Sequence, residues 1–139
     1  MTVLLDAYAL IAYMNQEPAA PTMRRLLWEG ELTMSAVQLA EVVDRMERLH
    51  GVPADEVEVV VSALGIEIVV ADHPIGAEAG RIRARRYASS GRTLSLADSF
   101  CAATAALGEF TVATADPVLL EVAEAEGCAV LRLPPRVKI

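Results

Sequence analysis

The chain has 139 residues, of which 54% are hydrophobic, and this composition favours a compact globule over disorder and predicts one compact domain over residues 1–139. Aromatic residues make up only 4%, which argues against a protein that binds single-stranded nucleic acid by stacking bases on rings. The net charge of −7 argues against non-specific binding to nucleic acid, but it is compatible with carboxylates that hold a divalent cation.

In chain order, the hydrophobic patterns predict strand 2–6, helix 7–15, helix 22–28, strand 32–34, a helix capped by Ser35 and running to about His50, helix 54–64, strand 66–70, helix 74–89, helix 96–107, strand 110–114, helix 117–126 and strand 128–131. Strands separated by helices imply parallel pairing with helices on both faces. The predicted fold is therefore a three-layer α/β/α domain with a central parallel sheet of about four to five strands.

No feature of the sequence indicates export or a membrane anchor. Cys101 and Cys128 form neither a metal-binding pair nor a disulfide framework, and both are typical of buried thiols in a cytosolic protein. The apolar stretch near the start is interrupted by Asp6 and is too short to cross a bilayer. We expect a cytoplasmic protein without membrane contact.

Four acidic residues lie at or near the edge where the predicted strands end. Asp6 ends the first strand, and Asp116 follows the strand 110–114. Asp98 lies in the first turn of the helix before that strand, and Glu41 lies in the second turn of the helix after strand 32–34. Open parallel sheets bind ligands beyond the carboxyl ends of their strands, so these side chains are expected to converge. Clustered carboxylates repel one another, and a hard cation such as Mg²⁺ or Mn²⁺ relieves that repulsion.

Each acid also has a purely structural interpretation, which taken singly is the commoner one. Asp6 and Asp116 could be helix N-caps, and Asp98 could answer Ser95 in a capping box. Glu41 lies nearly opposite a predicted apolar stripe, so its helix pattern is typical of a solvated face; the stripe consists of Leu39, Val42, Val43, Met46 and Leu49. Only the predicted convergence of the four favours a metal site.

Four segments together resemble a known family. They are Val-Leu-Leu-Asp-Ala at 3–7, Ser-Ala-Val-Gln-Leu-Ala-Glu-Val at 35–42, Leu-Ser-Leu-Ala-Asp-Ser at 94–99 and Val-Ala-Thr-Ala-Asp-Pro at 112–117. In this order and spacing the chain resembles a PIN-domain ribonuclease, most closely the VapC-type toxins of bacterial toxin–antitoxin pairs. Each segment is weak evidence alone, but four in register within one small α/β domain are fairly specific.

The resemblance implies an endoribonuclease that depends on Mg²⁺ or Mn²⁺ and hydrolyses RNA phosphodiesters by in-line attack. It makes Asp6 and Asp98 the principal metal ligands. It gives Asp116 the task of completing the acidic pocket, directly or through water, and Glu41 that of binding metal or orienting the attacking water. Thr114 would support the pocket by hydrogen bonding. In this family a cognate antitoxin protein blocks the site, and homodimers are usual.

Two features near the predicted site leave alternatives open. The family often has Ser, Thr or Asn two residues after the first Asp, whereas this chain has Tyr8, whose phenol could donate a hydrogen bond or turn into the core. Arg81, Arg85 and Arg92 could form a basic rim for RNA phosphates. The other interpretation is a solvated helix face paired with Glu78 and other acids.

Two other functions and one partner surface can be weighed from the sequence. A receiver-type signalling module needs a lysine at a strand end, and the only lysine is Lys138, near the C-terminus. A PIN-like module that binds RNA or a partner without cleavage stays possible, although all four acids are present. Trp28 is either a partly buried core residue or an exposed anchor for a partner helix, in a groove with Met14, Met23 and Leu27.

Overall fold

The computed structural model describes residues 1–88 and 93–136. In chain order the elements are β1 (Thr2–Leu5), α1 (Ala7–Met14), α2 (Ala20–Glu29), β2 (Glu31–Ser35), α3 (Ala36–His50), α4 (Ala54–Ala63), β3 (Glu67–Val69), α5 (His73–Arg86), α6 (Leu96–Gly108), β4 (Thr111–Thr114), α7 (Pro117–Ala125) and β5 (Val130–Arg132). The strands form one sheet in the order β3-β2-β1-β4-β5, with every neighbouring pair parallel. The predicted parallel α/β sheet is confirmed.

Alternate residues of the strands enter two separate apolar cores, one on each face of the sheet. Val3 and Leu5 of β1 pack in the core that includes residues of α1, α2, α3 and α4. Leu4 of β1 and Val112 of β4 pack in the core that includes residues of α5, α6 and α7. Because successive strand side chains point to opposite faces, this division shows the three-layer α/β/α arrangement that was predicted.

The observed elements differ from the predicted ones mainly at their ends. Helix α2 begins at Ala20, before the predicted start, because Pro21 is tolerated in the first helical turn. Helix α5 ends at Arg86, and its predicted end at Ser89 lies outside the described residues. Strands β3 and β5 are shorter than predicted, and both are edge strands that pair with a single neighbour.

The N-termini of four helices meet at the carboxyl edge of β1, β2 and β4. Asp6 caps α1 by accepting a hydrogen bond from the backbone N–H of Ala9, and Asp116 caps α7. Ser35 caps α3 and Ser95 caps α6. Helix α6 precedes β4 in the chain and runs back across the sheet, which brings its N-terminus to this same edge. The partial positive charges of these helix ends favour negative groups there.

Away from this edge, the structure also shows the surroundings of the two cysteines and of Trp28. Cys101 is buried and Cys128 is partly buried, and both are free thiols. Trp28 is 92% exposed, which excludes the partly buried interpretation, whereas Met23 is fully buried and cannot line a surface groove beside it. Among the described residues, no helix is both long and apolar enough to cross a membrane.

Candidate functional site

A cavity of about 310 Å³ opens at the carboxyl edge of β1 and β4. All four acids predicted from the sequence line it, although they come from positions as far apart as the end of β1 and the start of α7. The lining residues are Asp6, Tyr8, Gln38, Glu41, Arg45, Asp98, Ala115, Asp116, Pro135 and Arg136. The parallel topology therefore brings the four carboxylates together around one space.

Asp6 lies at the bottom of this cavity and is only 4% exposed. Its Oδ1 atom accepts a hydrogen bond from the N–H of Ala9 at 2.9 Å, and its Oδ2 atom accepts one from the hydroxyl of Thr114. Burial raises the pKa of Asp6 to about 7; these two hydrogen bonds oppose the shift, and the charges of Asp98 and Asp116 add to it. Near neutral pH, a neighbouring positive charge would therefore shift this carboxyl group towards its ionised form.

Thr114 lies beneath the cavity and joins two of the acids through one fully buried hydroxyl. The hydroxyl donates to Asp6 and accepts a hydrogen bond from the backbone N–H of Asp116 at 3.0 Å. The side chain thus connects the end of β4 to the end of β1, and it uses both the donor and an acceptor position of its hydroxyl group.

Asp98 approaches Asp6 from the first turn of α6. Its Oδ1 atom accepts a hydrogen bond from Nε2 of Gln38 at 3.2 Å. Burial raises the pKa of Asp98 to about 6, the charge of Asp116 adds to the shift, and the hydrogen bond from Gln38 opposes it. Two neighbouring carboxyl groups with raised pKa values are the pattern expected where a site is arranged to receive positive charge.

Asp116 shows that a capping role and a place in the cavity are compatible. Its Oδ1 atom accepts hydrogen bonds from the N–H groups of Val118 and Leu119 at 2.8 and 3.2 Å, as an N-cap does. Its Oδ2 atom makes no hydrogen bond within the part of the chain that the structure describes. The same side chain therefore caps α7 and lines the cavity.

Helix α3 packs on the protein with most of the predicted apolar stripe, since Val42 and Met46 lie in the core and Leu39 and Val43 pack against it. Its buried residues are Gln38, Val42 and Met46, whereas Leu49, placed in the predicted apolar stripe, is exposed. Because α3 contacts α1, α4 and α6, more than one side of it is covered. Glu41 lies opposite this stripe but not on a fully solvated face, since it is half-buried and lines the cavity.

Gln38 has a structural role that the sequence prediction missed. It is fully buried, its Oε1 atom accepts a hydrogen bond from the N–H of Ala7 at 2.7 Å, and its Nε2 atom donates to the carbonyl of Ala97 at 3.1 Å. Together with the contact to Asp98, these bonds connect the first turns of α1 and α6. The available signal was a polar residue in the helical register of buried Val42.

The arginines proposed from the sequence as an RNA rim do not line this cavity. Arg81 forms an ion pair with Glu78 at 2.8 Å, and Arg85 forms one with Glu126 at 3.1 Å. These contacts match the alternative of a paired and solvated helix face. Arg92 lies outside the described residues.

Tyr8, where the chain departs from the usual family motif, lies at the mouth of the cavity. Its hydroxyl donates a hydrogen bond to the carbonyl of Pro134 at 2.8 Å, while the partly buried side chain also packs against the core, so both predicted alternatives hold in part. Burial raises the pKa of Tyr8, and the charges of Glu17 and Asp6 add to this, which keeps the phenol protonated. Tyr8 thereby fixes the segment that carries Arg136 to the cavity.

The donor set of this cavity suits a hard divalent cation. Its potential ligands are carboxylate and amide oxygens, which Mg²⁺ and Mn²⁺ prefer. Among the described His, Cys, Asp and Glu residues, no three stand together as a ready-made ligand group. Mg²⁺ usually binds one or two carboxylates directly and keeps several waters, so such a wide acidic cavity fits it through direct and water-mediated contacts.

The fold and the cavity define an α/β/α domain with a carboxylate pocket at the edge of its parallel sheet, and sequence comparison names the family. The family model for the PIN domain matches residues 3–125. The chain therefore belongs to the PIN domain family, and the predicted family is confirmed. Among curated proteins, none is similar enough in sequence to count as a match.

Solved structures with the same fold include several toxin–antitoxin proteins. FitAcB from Neisseria gonorrhoeae is 25% identical, over 94% of this chain and 96% of that chain, with a TM-score of 0.64. VapBC-5 from Mycobacterium tuberculosis, a member of the VapBC family of toxin–antitoxin systems, is 24% identical over 95% and 98%, with a TM-score of 0.61. VapC20 from the same organism, a toxin that cleaves the sarcin–ricin loop, is 16% identical over 79% and 86%, with a TM-score of 0.66.

Proposed function

We propose that this protein is a metal-dependent endoribonuclease and the toxin of a type II toxin–antitoxin pair. The observation that carries the proposal is the convergence of Asp6, Glu41, Asp98 and Asp116 on one cavity. Membership of the PIN domain family supports nuclease chemistry, and the likeness to a toxin that cleaves the sarcin–ricin loop supports RNA as the substrate. A PIN-like module that binds RNA or a partner without cleavage is the alternative, and the four intact acids favour cleavage over it.

The four acids divide the work according to their burial. Bound Mg²⁺ or Mn²⁺ would supply charge stabilisation at the phosphate and a more acidic water. Asp6 and Asp98 would hold the cation, because their raised pKa values reflect buried carboxylates that gain most from a positive charge. Asp116, which is exposed, would complete the pocket directly or through water, and half-buried Glu41 would bind metal or orient the attacking water. Thr114 would keep Asp6 in place.

The proposed partners follow from the same comparisons. The likeness to VapBC-5, from a toxin–antitoxin family, supports a cognate antitoxin protein that covers the cavity. A homodimer and a cytoplasmic location belong to the same proposal. A short reading frame that encodes an antitoxin-like protein beside this gene would support it without further biochemistry.

The decisive experiment is cleavage of total RNA in the presence of Mg²⁺ or Mn²⁺, with and without EDTA. We expect Asp6→Asn and Asp98→Asn each to lose at least roughly 100-fold in rate, because several kcal/mol of charge stabilisation depend on the cation they hold. Asn can still cap α1 in place of Asp6, and the cap of α6 is Ser95 and not Asp98, so both variants should stay folded.

Asp72→Asn is the matched control, because Asp72 caps α5 in the same way but does not line the cavity. It should cleave like the unaltered protein. Full activity of Asp6→Asn or Asp98→Asn, or undiminished cleavage in EDTA, would reject the proposed site. Binding of RNA without any cleavage would favour the alternative function.

A further inference from the structure

The cavity poses an electrostatic problem for a substrate that is a polyanion. Four carboxylates line it, and the whole chain carries a net charge of −7. A phosphate strand that enters must therefore meet local positive charge besides that of a cation. Two arginines supply such charge at the cavity wall, Arg45 from α3 and Arg136 from the segment 133–136 that follows β5.

Three separate contacts hold the segment 133–136 against the cavity. Leu133 is buried in the core beneath the sheet, and its backbone N–H donates to the carbonyl of Thr114 at 2.9 Å. The hydroxyl of Tyr8 donates to the carbonyl of Pro134 at 2.8 Å. The guanidinium of Arg136 donates through Nε to Oε1 of Glu17 at 2.5 Å. These anchors come from a strand, from α1 and from the loop after α1: two hold the backbone of the segment, and Glu17 holds the guanidinium of Arg136.

Glu17 binds the guanidinium of Arg136 at Nε and makes no hydrogen bond to its two terminal nitrogens. The side chain of Glu17 is only 12% exposed, and its Oε2 atom has no hydrogen-bond partner within the described part of the chain. The side chain of Arg136 is 57% exposed, and its two terminal nitrogens make no hydrogen bond with any described residue. A guanidinium bound at Nε still presents a pair of N–H donors, which is the geometry that recognises a phosphate in a bidentate manner.

We propose that Arg136, held by Tyr8 and Glu17, binds a backbone phosphate of the RNA strand that enters the acidic cavity. This inference rests on the proposed function and adds the residue that receives the strand. It also gives Tyr8 a purpose: the phenol that replaces the small polar residue of the family motif holds the arginine-bearing segment. Arg136 is a substrate-binding residue in this proposal, and Tyr8 and Glu17 are positioning residues.

The test is the affinity for a short fluorescent single-stranded RNA, measured by anisotropy in EDTA, with KCl varied from about 50 to 200 mM. A denaturing gel afterwards checks that the strand is intact. We expect Arg136→Gln to weaken binding about tenfold, as for loss of a charge-assisted pair. The slope of log affinity against log salt should become shallower by about 0.7, the contribution of one phosphate of a single strand.

Two further variants separate charge from geometry. Arg136→Lys should recover the salt slope but only part of the affinity, because an ammonium keeps the charge and lacks the planar fork. Tyr8→Phe keeps the ring and removes only the hydroxyl that holds Pro134, so it should weaken binding in the same direction by a smaller factor. A residue with a merely structural role would leave the salt slope unchanged.

The control is Arg25→Gln, which removes the same charge from an exposed arginine that is paired with Glu29 and lies outside the cavity. It should bind RNA within about twofold of the unaltered protein, as expected for a surface charge far from the strand. Equal weakening by Arg25→Gln and Arg136→Gln, or unaltered affinity and slope in Arg136→Gln, would overturn the proposal. RNA binding that depends on Arg136 without any cleavage would overturn only the nuclease function, and cleavage with binding independent of Arg136 would overturn only this inference.

Discussion

Asp6 and Asp98 give the metal-free protein a pH dependence that can be derived from their surroundings. Burial raises their pKa values from 3.8 to about 7 and about 6, so the folded protein holds these protons more tightly than the unfolded chain does. The resulting stability is fully present below the unfolded value and is lost as the pH rises through the folded values.

We therefore predict that the free energy of unfolding in EDTA falls by on the order of a few kcal/mol between about pH 5 and pH 8. Urea unfolding at several pH values measures it. Asp6→Asn should flatten this dependence, because the amide carries no titratable proton, whereas Asp72→Asn should leave it as it is. A protein that becomes more stable across this window would contradict the prediction.

The contribution of Thr114 to stability can also be predicted, because its one hydroxyl binds both a carboxylate and a backbone N–H. Thr114→Val leaves Asp6 with one donor fewer and leaves the N–H of Asp116 without its acceptor. We expect a loss of about 1–3 kcal/mol in the free energy of unfolding, the usual cost of unsatisfied buried polar groups.

Thr104→Val is the matched control for this change. Thr104 is also buried, but its hydroxyl donates to the carbonyl of Phe100 in its own helix, a bond whose loss leaves no charged group unsatisfied. It should cost less than about 1 kcal/mol. Equal losses in the two variants, measured by urea unfolding, would show that the contact with Asp6 has no special weight.

At the scale of elements, Gln38 is the point where α1, α3 and α6 are connected. Gln38→Leu fills a similar space but leaves the N–H of Ala7 and the carbonyl of Ala97 without this partner, so we predict a loss of about 1–3 kcal/mol in stability. Because Asp98 loses its amide donor as well, cation binding should weaken too. Gln16→Leu is the control: it removes exposed hydrogen bonds to the carbonyl of Tyr13 and to Arg24, so it should cost less than about 1 kcal/mol and leave cation binding unchanged.

Whether a site residue can be predicted from the sequence depends on the element that carries it. Asp6 and Asp116 were predictable because each directly follows a strand of a parallel sheet, so the topology alone brings them to one edge. Glu41 lies opposite the apolar stripe, as its helix pattern predicted, but helix periodicity does not reveal that α3 is covered on several sides and that Glu41 is therefore half-buried. Gln38 and Arg136 act through contacts with residues distant in sequence, which no local pattern encodes.

For the molecule as a whole, the proposed cation site in the acidic cavity would make folding and cation binding interdependent. Four carboxylates held together oppose folding at neutral pH, and a cation that bound them only in the folded state would reverse this. A ligand of the folded state adds RT ln(1 + [L]/Kd) to stability, about 2.7 kcal/mol at a concentration 100-fold above Kd. We predict that Mn²⁺ or Mg²⁺ raises the midpoint of thermal unfolding in a concentration-dependent manner and that EDTA reverses the rise.

Measurements at two pH values and on two variants identify which carboxylates are responsible for the rise in the unfolding midpoint. The rise should be larger near pH 8 than near pH 6, because at the lower pH the cation must displace protons from Asp6 and Asp98. Asp98→Asn should abolish most of it, whereas Asp72→Asn should keep it, since both remove one carboxylate but only the first lies in the cavity. If Asp72→Asn loses as much as Asp98→Asn, the cation acts through the overall negative charge of the chain and not through this site.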